Sequence, residues 1–161
     1  HKYVYSHFGY NLKVTDMQAA VGCAQLKKLP SFVEKRRKNF ARLKAALQGI
    51  EEKLILPEPC PNSEPSWFGF LLTCREGVER EPIVRALEAH GIQTRMLFAG
   101  NLVKHPCFDR LREAKSGYRV VGELSATDRI MRDTFWLGVY PGMAAEQIDY
   151  MAEVLHSVLN G

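Results

Sequence analysis

The chain has 161 residues, 46% hydrophobic and 25% charged, with a formal charge of +4. That is the length of one domain with enough apolar material for a core. The mild charge argues against nucleic acid, which calls for a clustered basic face. No apolar run approaches a membrane span.

The first residue is His1, and no basic segment followed by an apolar one marks a signal peptide. The chain therefore reads as cut from a longer one. Cysteines stand at 23, 60, 74 and 107 without a C-x-x-C pair, which fits reduced thiols in a cytoplasmic protein. The five histidines, His1, His7, His90, His105 and His156, show no metal spacing.

Taken in order, Thr15-Asp16-Met17-Gln18 forms a capping box that opens the first helix. Met17, Ala20, Val21, Ala24 and Leu26 give it an apolar stripe, and its small residues allow a close partner. Pro30 predicts a kink or a restart, with a second helix over 31–47. The basic run EKRRKNFARLK on that helix reads as a solvated face, since no aromatic platform accompanies it. Residues 54–56 form a short strand or an extended lead-in, and PEPCPNSEP is a loop.

SWFGFLLTC, residues 66–74, reads as a buried strand. A helix from Glu81-Pro82 to His90 stops at Gly91. IQTRMLF at 92–98 is a strand, and AGNLVKHPCF a loop that holds a helical turn. A helix over 124–132, a strand over 134–140 ended by Pro141-Gly142, and a helix over 145–159 complete the chain. The order predicts an α/β (α+β) layer of about three strands packed with helices, with a long kinked N-terminal helix.

Four places could carry chemistry. GYNLK, residues 9–13, puts an amide and an ammonium just before a helix start, an arrangement suited to an anion. Backbone turn chemistry at Gly9 and Asn11 explains the same residues. Arg95 in an apolar strand needs an anion or an aromatic to lie on, or else snorkels to the sheet edge. Trp67 and Phe68 alternate to opposite faces, so at most one is exposed to a flat ligand; core packing is the simpler role for both. Arg129 either pairs locally with Asp128 or binds an anion. The chain lacks G-x-x-x-x-G-K-[ST], G-x-G-x-x-G and G-x-S-x-G, and a complete catalytic apparatus cannot be assembled from it.

SHFGYNLKVTDMQAAVGCAQLKKL resembles the stretch that begins the C-terminal domain of the sugar aminotransferase and dehydratase family, the DegT/DnrJ/EryC/StrS family of pyridoxal-phosphate fold type I. Gly9, Tyr10, Asn11, Thr15, Ala19, Ala20, Gln25 and Leu26 match its pattern, while Lys13 stands where most members have Arg. NSEPSWFGF, TRMLFAGNL, YRVVGEL and TDRIMRDTFWLGVYPG resemble the branch of 3-dehydratases that serve lipopolysaccharide biosynthesis.

The resemblance implies pyridoxamine 5′-phosphate and a 2Fe–2S cluster in the parent, and CDP-4-keto-6-deoxy-D-glucose as substrate. It also implies a flavin iron–sulfur reductase as electron donor and a homodimer with shared sites. Residues 1–14 would end a large cofactor domain, and 15–161 would form the small one. Asn11 would reach the cofactor phosphate of the neighbouring subunit, and Phe68 and Arg129 would line the substrate side. Arg95 is added to them on the anion argument alone. The catalytic histidine and the cluster cysteines would lie outside this chain, and the fragment alone would be inactive. Two alternatives stay open: a piece of a pyridoxal-phosphate sugar aminotransferase, or a non-catalytic dimerisation or nucleotide-sugar-binding module.

Overall fold

A computed structural model of the chain describes residue 4 and residues 6–10 and 12–160. Helix α1 (Asp16–Ala46) opens with the capping box intact. The Thr15 hydroxyl accepts from the Gln18 amide at 3.3 Å, and the Gln18 side chain accepts from the Thr15 amide at 3.0 Å. Such caps are worth about 1 kcal/mol. The helix continues through Pro30 for 31 residues instead of restarting. Proline removes one backbone donor. Residues 16–30 are exposed, so a carbonyl left unpaired there can be met by solvent.

The sheet has four antiparallel strands in the order β1 (Leu54–Ile55), β2 (Gly69–Cys74), β4 (Thr134–Gly138), β3 (Thr94–Met96). The fourth strand beyond the expected three is β1, whose two residues pair with the far end of β2. Strand β3 is shorter than the apolar run around it. Helices α2 (Arg80–Ala89), α4 (Ser125–Asp133) and α5 (Ala145–Asn160) lie close to their expected places. Helix α3 (Asp109–Ala114) was not expected: DRLREA carries one large apolar residue and no helical stripe. It follows two 3-10 turns, Leu102–Lys104 and Pro106–Phe108.

Alternation along the strands divides the sheet into two faces. Phe70 opposite Leu137 and Leu72 opposite Phe135 are fully buried. They join Phe40 and Leu43 of α1, Ile83 and Leu87 of α2, and Ile148 and Leu155 of α5 in one core. Each fully buried Leu or Phe side chain contributes about 1.5–3 kcal/mol. Burial in α1 begins only at its C-terminal half, with Phe40 and Leu43. The helix is clamped to α5 by the bidentate pair of Arg42 with Asp149, at 2.8 and 2.5 Å. The opposite face of the sheet carries Gly69, Leu71 and Trp136, with Arg95 facing Trp136 across the β3–β4 pair.

Candidate functional site

Of the two aromatics ahead of β2 only one is exposed, as expected, but the alternation of β2 does not extend back to them: it would turn Phe68, in step with Phe70, toward the core. Trp67 packs against Phe40 of the core with ring centroids 4.6 Å apart. Phe68 stays 59% exposed and meets Trp136 edge to face at 5.3 Å. Trp136 in turn donates from Nε1 to the Met96 carbonyl at 3.1 Å. Gly69 lies against the indole: a Cβ there would sit 2.6 Å from Trp136 Cε3, well inside contact distance. Glycine is therefore required by the close approach of the ring.

Beyond β3 the chain turns sharply. The Phe98 amide donates to the Met96 carbonyl at 2.7 Å, and Phe98 takes a φ of 48°, a left-handed conformation unusual for a bulky residue. The turn leaves Phe98 75% exposed beside Leu97. Phe68, Leu71, Trp136, Leu97, Phe98 and Pro57 line a groove of about 360 Å³. Glu58, its one charged lining residue among those described, is paired with Lys44.

Trp136 also lines a second, more polar cleft of about 500 Å³. Arg95 lines it together with Tyr140, Gln147 and Tyr150. Arg95 donates to the Thr94 carbonyl at 3.2 Å. In its hydrogen-bonding orientation, the Gln93 amide oxygen accepts from both terminal guanidinium nitrogens at 3.0 and 3.1 Å. These partners are neutral, and no carboxylate pairs with Arg95 among the described residues. A hollow between α1 and β1, about 470 Å³, is lined by Lys44, Glu58 and Arg75 and has no aromatic wall.

Arg129 stands apart. It lies exposed on α4 and lines neither the groove nor the Arg95 cleft. The local ion pair with Asp128 does not form. Asp128 instead takes Lys104 Nζ at 2.7 Å and Asn101 Nδ2 at 2.7 Å. The hydrogen bond from Lys104 above all, then that from Asn101, holds the Asp128 carboxyl below its ordinary range. Thus Phe68 and Arg95 flank one indole, and Arg129 is not brought to it. Asn11 lies outside the described residues.

The residue that sequence reasoning passed over is Trp136. In TFWLGVY it reads as one more apolar strand position, and only its pairing with Arg95 and its contact with Gly69 and Phe68 set it apart. The cysteines do not fit an iron–sulfur cluster. Cys74 is buried, and burial pushes its thiol up to about 11, while Cys23, Cys60 and Cys107 are exposed. No group of three or more potential metal ligands lies together among the described residues. Nor is any helix among them long and apolar enough to cross a membrane.

The chain matches the DegT/DnrJ/EryC1/StrS aminotransferase family over residues 1–156. It belongs to that family. It is 54% identical over 153 residues to the lipopolysaccharide biosynthesis protein RfbH of Salmonella typhimurium, covering 94% of this chain and 34% of that protein. To the dTDP-4-dehydro-2,6-dideoxy-D-glucose 3-dehydratase of Saccharopolyspora spinosa it is 45% identical over 155 residues, 95% of this chain and 32% of that protein. Its structure resembles that of an E. coli GDP-4-keto-6-deoxy-D-mannose-3-dehydratase with bound hydrated PLP. The TM-score is 0.77 at 31% identity, over 91% of this chain and 36% of that one. The chain thus spans about a third of the length of these relatives. Its fold is that of part of a pyridoxal-phosphate-dependent sugar dehydratase or aminotransferase.

Proposed function

We propose that this family member is the C-terminal part of a 3-dehydratase acting on CDP-4-keto-6-deoxy-D-glucose for the 3,6-dideoxyhexoses of lipopolysaccharide. The observation that carries the reading is 54% identity to a lipopolysaccharide biosynthesis protein across nearly the whole chain. A second relative, at 45%, is itself a nucleotide-sugar 3-dehydratase.

In this reading residues 1–14 finish the cofactor domain, 15–161 form the small domain, and two subunits share each active site in the cytoplasm. When bound, pyridoxamine 5′-phosphate supplies the amine chemistry for loss of the carbon-3 hydroxyl, with electrons from a flavin iron–sulfur reductase. The described cysteines offer no ligand set for a 2Fe–2S cluster, which would be held elsewhere in the protein. Asn11 would donate to the cofactor phosphate.

The described residues serve the substrate. Phe68 and the groove behind it offer an apolar wall. Arg95 offers a positive charge beside that wall, compensated by no carboxylate among the described residues. Arg129 remains available to an anion because Asp128 is taken up by Lys104 and Asn101.

The test supplies the full-length protein with pyridoxamine phosphate, the reductase, an electron source and CDP-4-keto-6-deoxy-D-glucose. The expected product, read by mass spectrometry, has lost the carbon-3 oxygen, and the 161-residue chain alone gives none. Amino transfer from glutamate in place of deoxygenation would make the protein an aminotransferase. Nucleotide-sugar binding without either reaction would leave a non-catalytic module.

A further inference from the structure

We propose that Trp136 is the platform on which the base of the nucleotide sugar stacks, with Arg95 beside it taking the diphosphate. The inference rests on the nucleotide-sugar reading above and assigns two parts of that ligand to the two spaces that Trp136 lines.

Three contacts hold the ring in place: the Nε1 hydrogen bond to Met96, the edge-to-face contact with Phe68, and the close approach permitted by Gly69. An aromatic surface fixed in advance costs little ordering when a ligand arrives. The groove on the Phe68 side suits a heteroaromatic ring better than a hexose. Its walls are apolar, and its charged group among the described residues is already paired, so a flat base can use its faces there with its polar edge toward the open mouth, whereas hydroxyls all round a hexose would lose their water without replacement. The second cleft is more polar. Arg95 faces Trp136 across the strand pair, its guanidinium steadied by the neutral Gln93 amide. A planar fork of donors with no carboxylate partner among the described residues matches phosphate oxygens. Because the indole lines both spaces, a nucleoside diphosphate can lay its ring in the groove and its phosphates in the cleft.

Calorimetric titration of the full-length protein with CDP, CDP-glucose and inorganic pyrophosphate tests this. Trp136→Ala should weaken CDP about five- to a hundredfold, the range for loss of one stacked base. Trp136→Phe should bind CDP near the wild-type level, and pyrophosphate binding should be unchanged in both. Arg95→Gln should weaken CDP and pyrophosphate alike. Gly69→Ala crowds the indole without removing it and should weaken CDP but not pyrophosphate. It decides the matter if circular dichroism shows the alanine variant of Trp136 to be unfolded.

CDP binding unchanged in the variants would overturn the platform and leave the nucleotide-sugar reading standing. A loss confined to CDP-glucose would give the indole to the hexose and also overturn it. A wild-type protein that binds none of CDP, UDP, GDP or dTDP would overturn both.

Discussion

Gly69 decides what Trp136 can do. The ring rests where a β-carbon would be, so the smallest change at this position displaces the largest side chain on that face. Gly69→Ala should cost about 1–3 kcal/mol, the usual range for forcing extra volume into a packed contact. Urea unfolding measures the loss, and a shifted tryptophan emission maximum would show that the indole has moved. Unchanged stability and emission would mean that the ring yields freely and is not fixed by its three contacts. At this scale the sequence is half legible. That at most one of Trp67 and Phe68 is exposed is legible and found; which one is not, because the alternation of β2 breaks ahead of Gly69. The importance of Trp136 is not legible, because it depends on Gly69 and Arg95, on other strands. Arg129 shows the converse difficulty. Its neighbour Asp128 invites a local pair, yet a lysine from the 3-10 turn Leu102–Lys104, ahead of α3, and the asparagine that caps that turn claim the carboxylate.

Among the elements, α1 is legible at its start, while at Pro30 the sequence leaves a kink or a restart open and the unbroken helix excludes the restart. The capping box is a local pattern, and both of its hydrogen bonds are present. Pro30 is also local, but continuation of the helix is settled downstream, where Phe40 and Leu43 bury against the sheet. Helix α3 gave no signal because its short run has no apolar face. The attachment of α1 to α5 brings a testable pH dependence through Arg42 and Asp149. The hydrogen bond from Arg42 holds the Asp149 carboxyl below its ordinary value. A carboxylate lowered in the folded state adds stability above its unfolded pKa, and that stability disappears as pH falls through the folded one. Asp149→Asn should therefore lower the thermal midpoint at neutral pH and make no difference in strong acid. The drop should be small, since both side chains are nearly half exposed. Midpoints from calorimetry across that range check it, and an equal penalty at both ends would rule out the ion pair as its source.

The molecule as a whole is unevenly finished. Its sheet and C-terminal half enclose a continuous core, whereas Phe8, Tyr10, Leu12 and Val14 lie exposed. Met17, Val21, Leu26 and Leu29 on the first turns of α1 are also exposed. So much neighbouring apolar surface is uncommon on a stable monomer. The isolated chain should therefore associate as its concentration rises, with an apparent mass in sedimentation equilibrium that climbs above that of one copy. A mass independent of concentration would show that this surface tolerates water.

Helix α4 ends at Asp133 and β4 begins at Thr134, with no residue between them. This junction should be intolerant of insertions and deletions. One added residue would swing the helix by about 100° around its axis or slide the strand by one position. A slide would turn Trp136 toward the core and Phe135 toward solvent. Across homologues, changes in length should therefore gather in the loop between β1 and β2 and stay away from this seam.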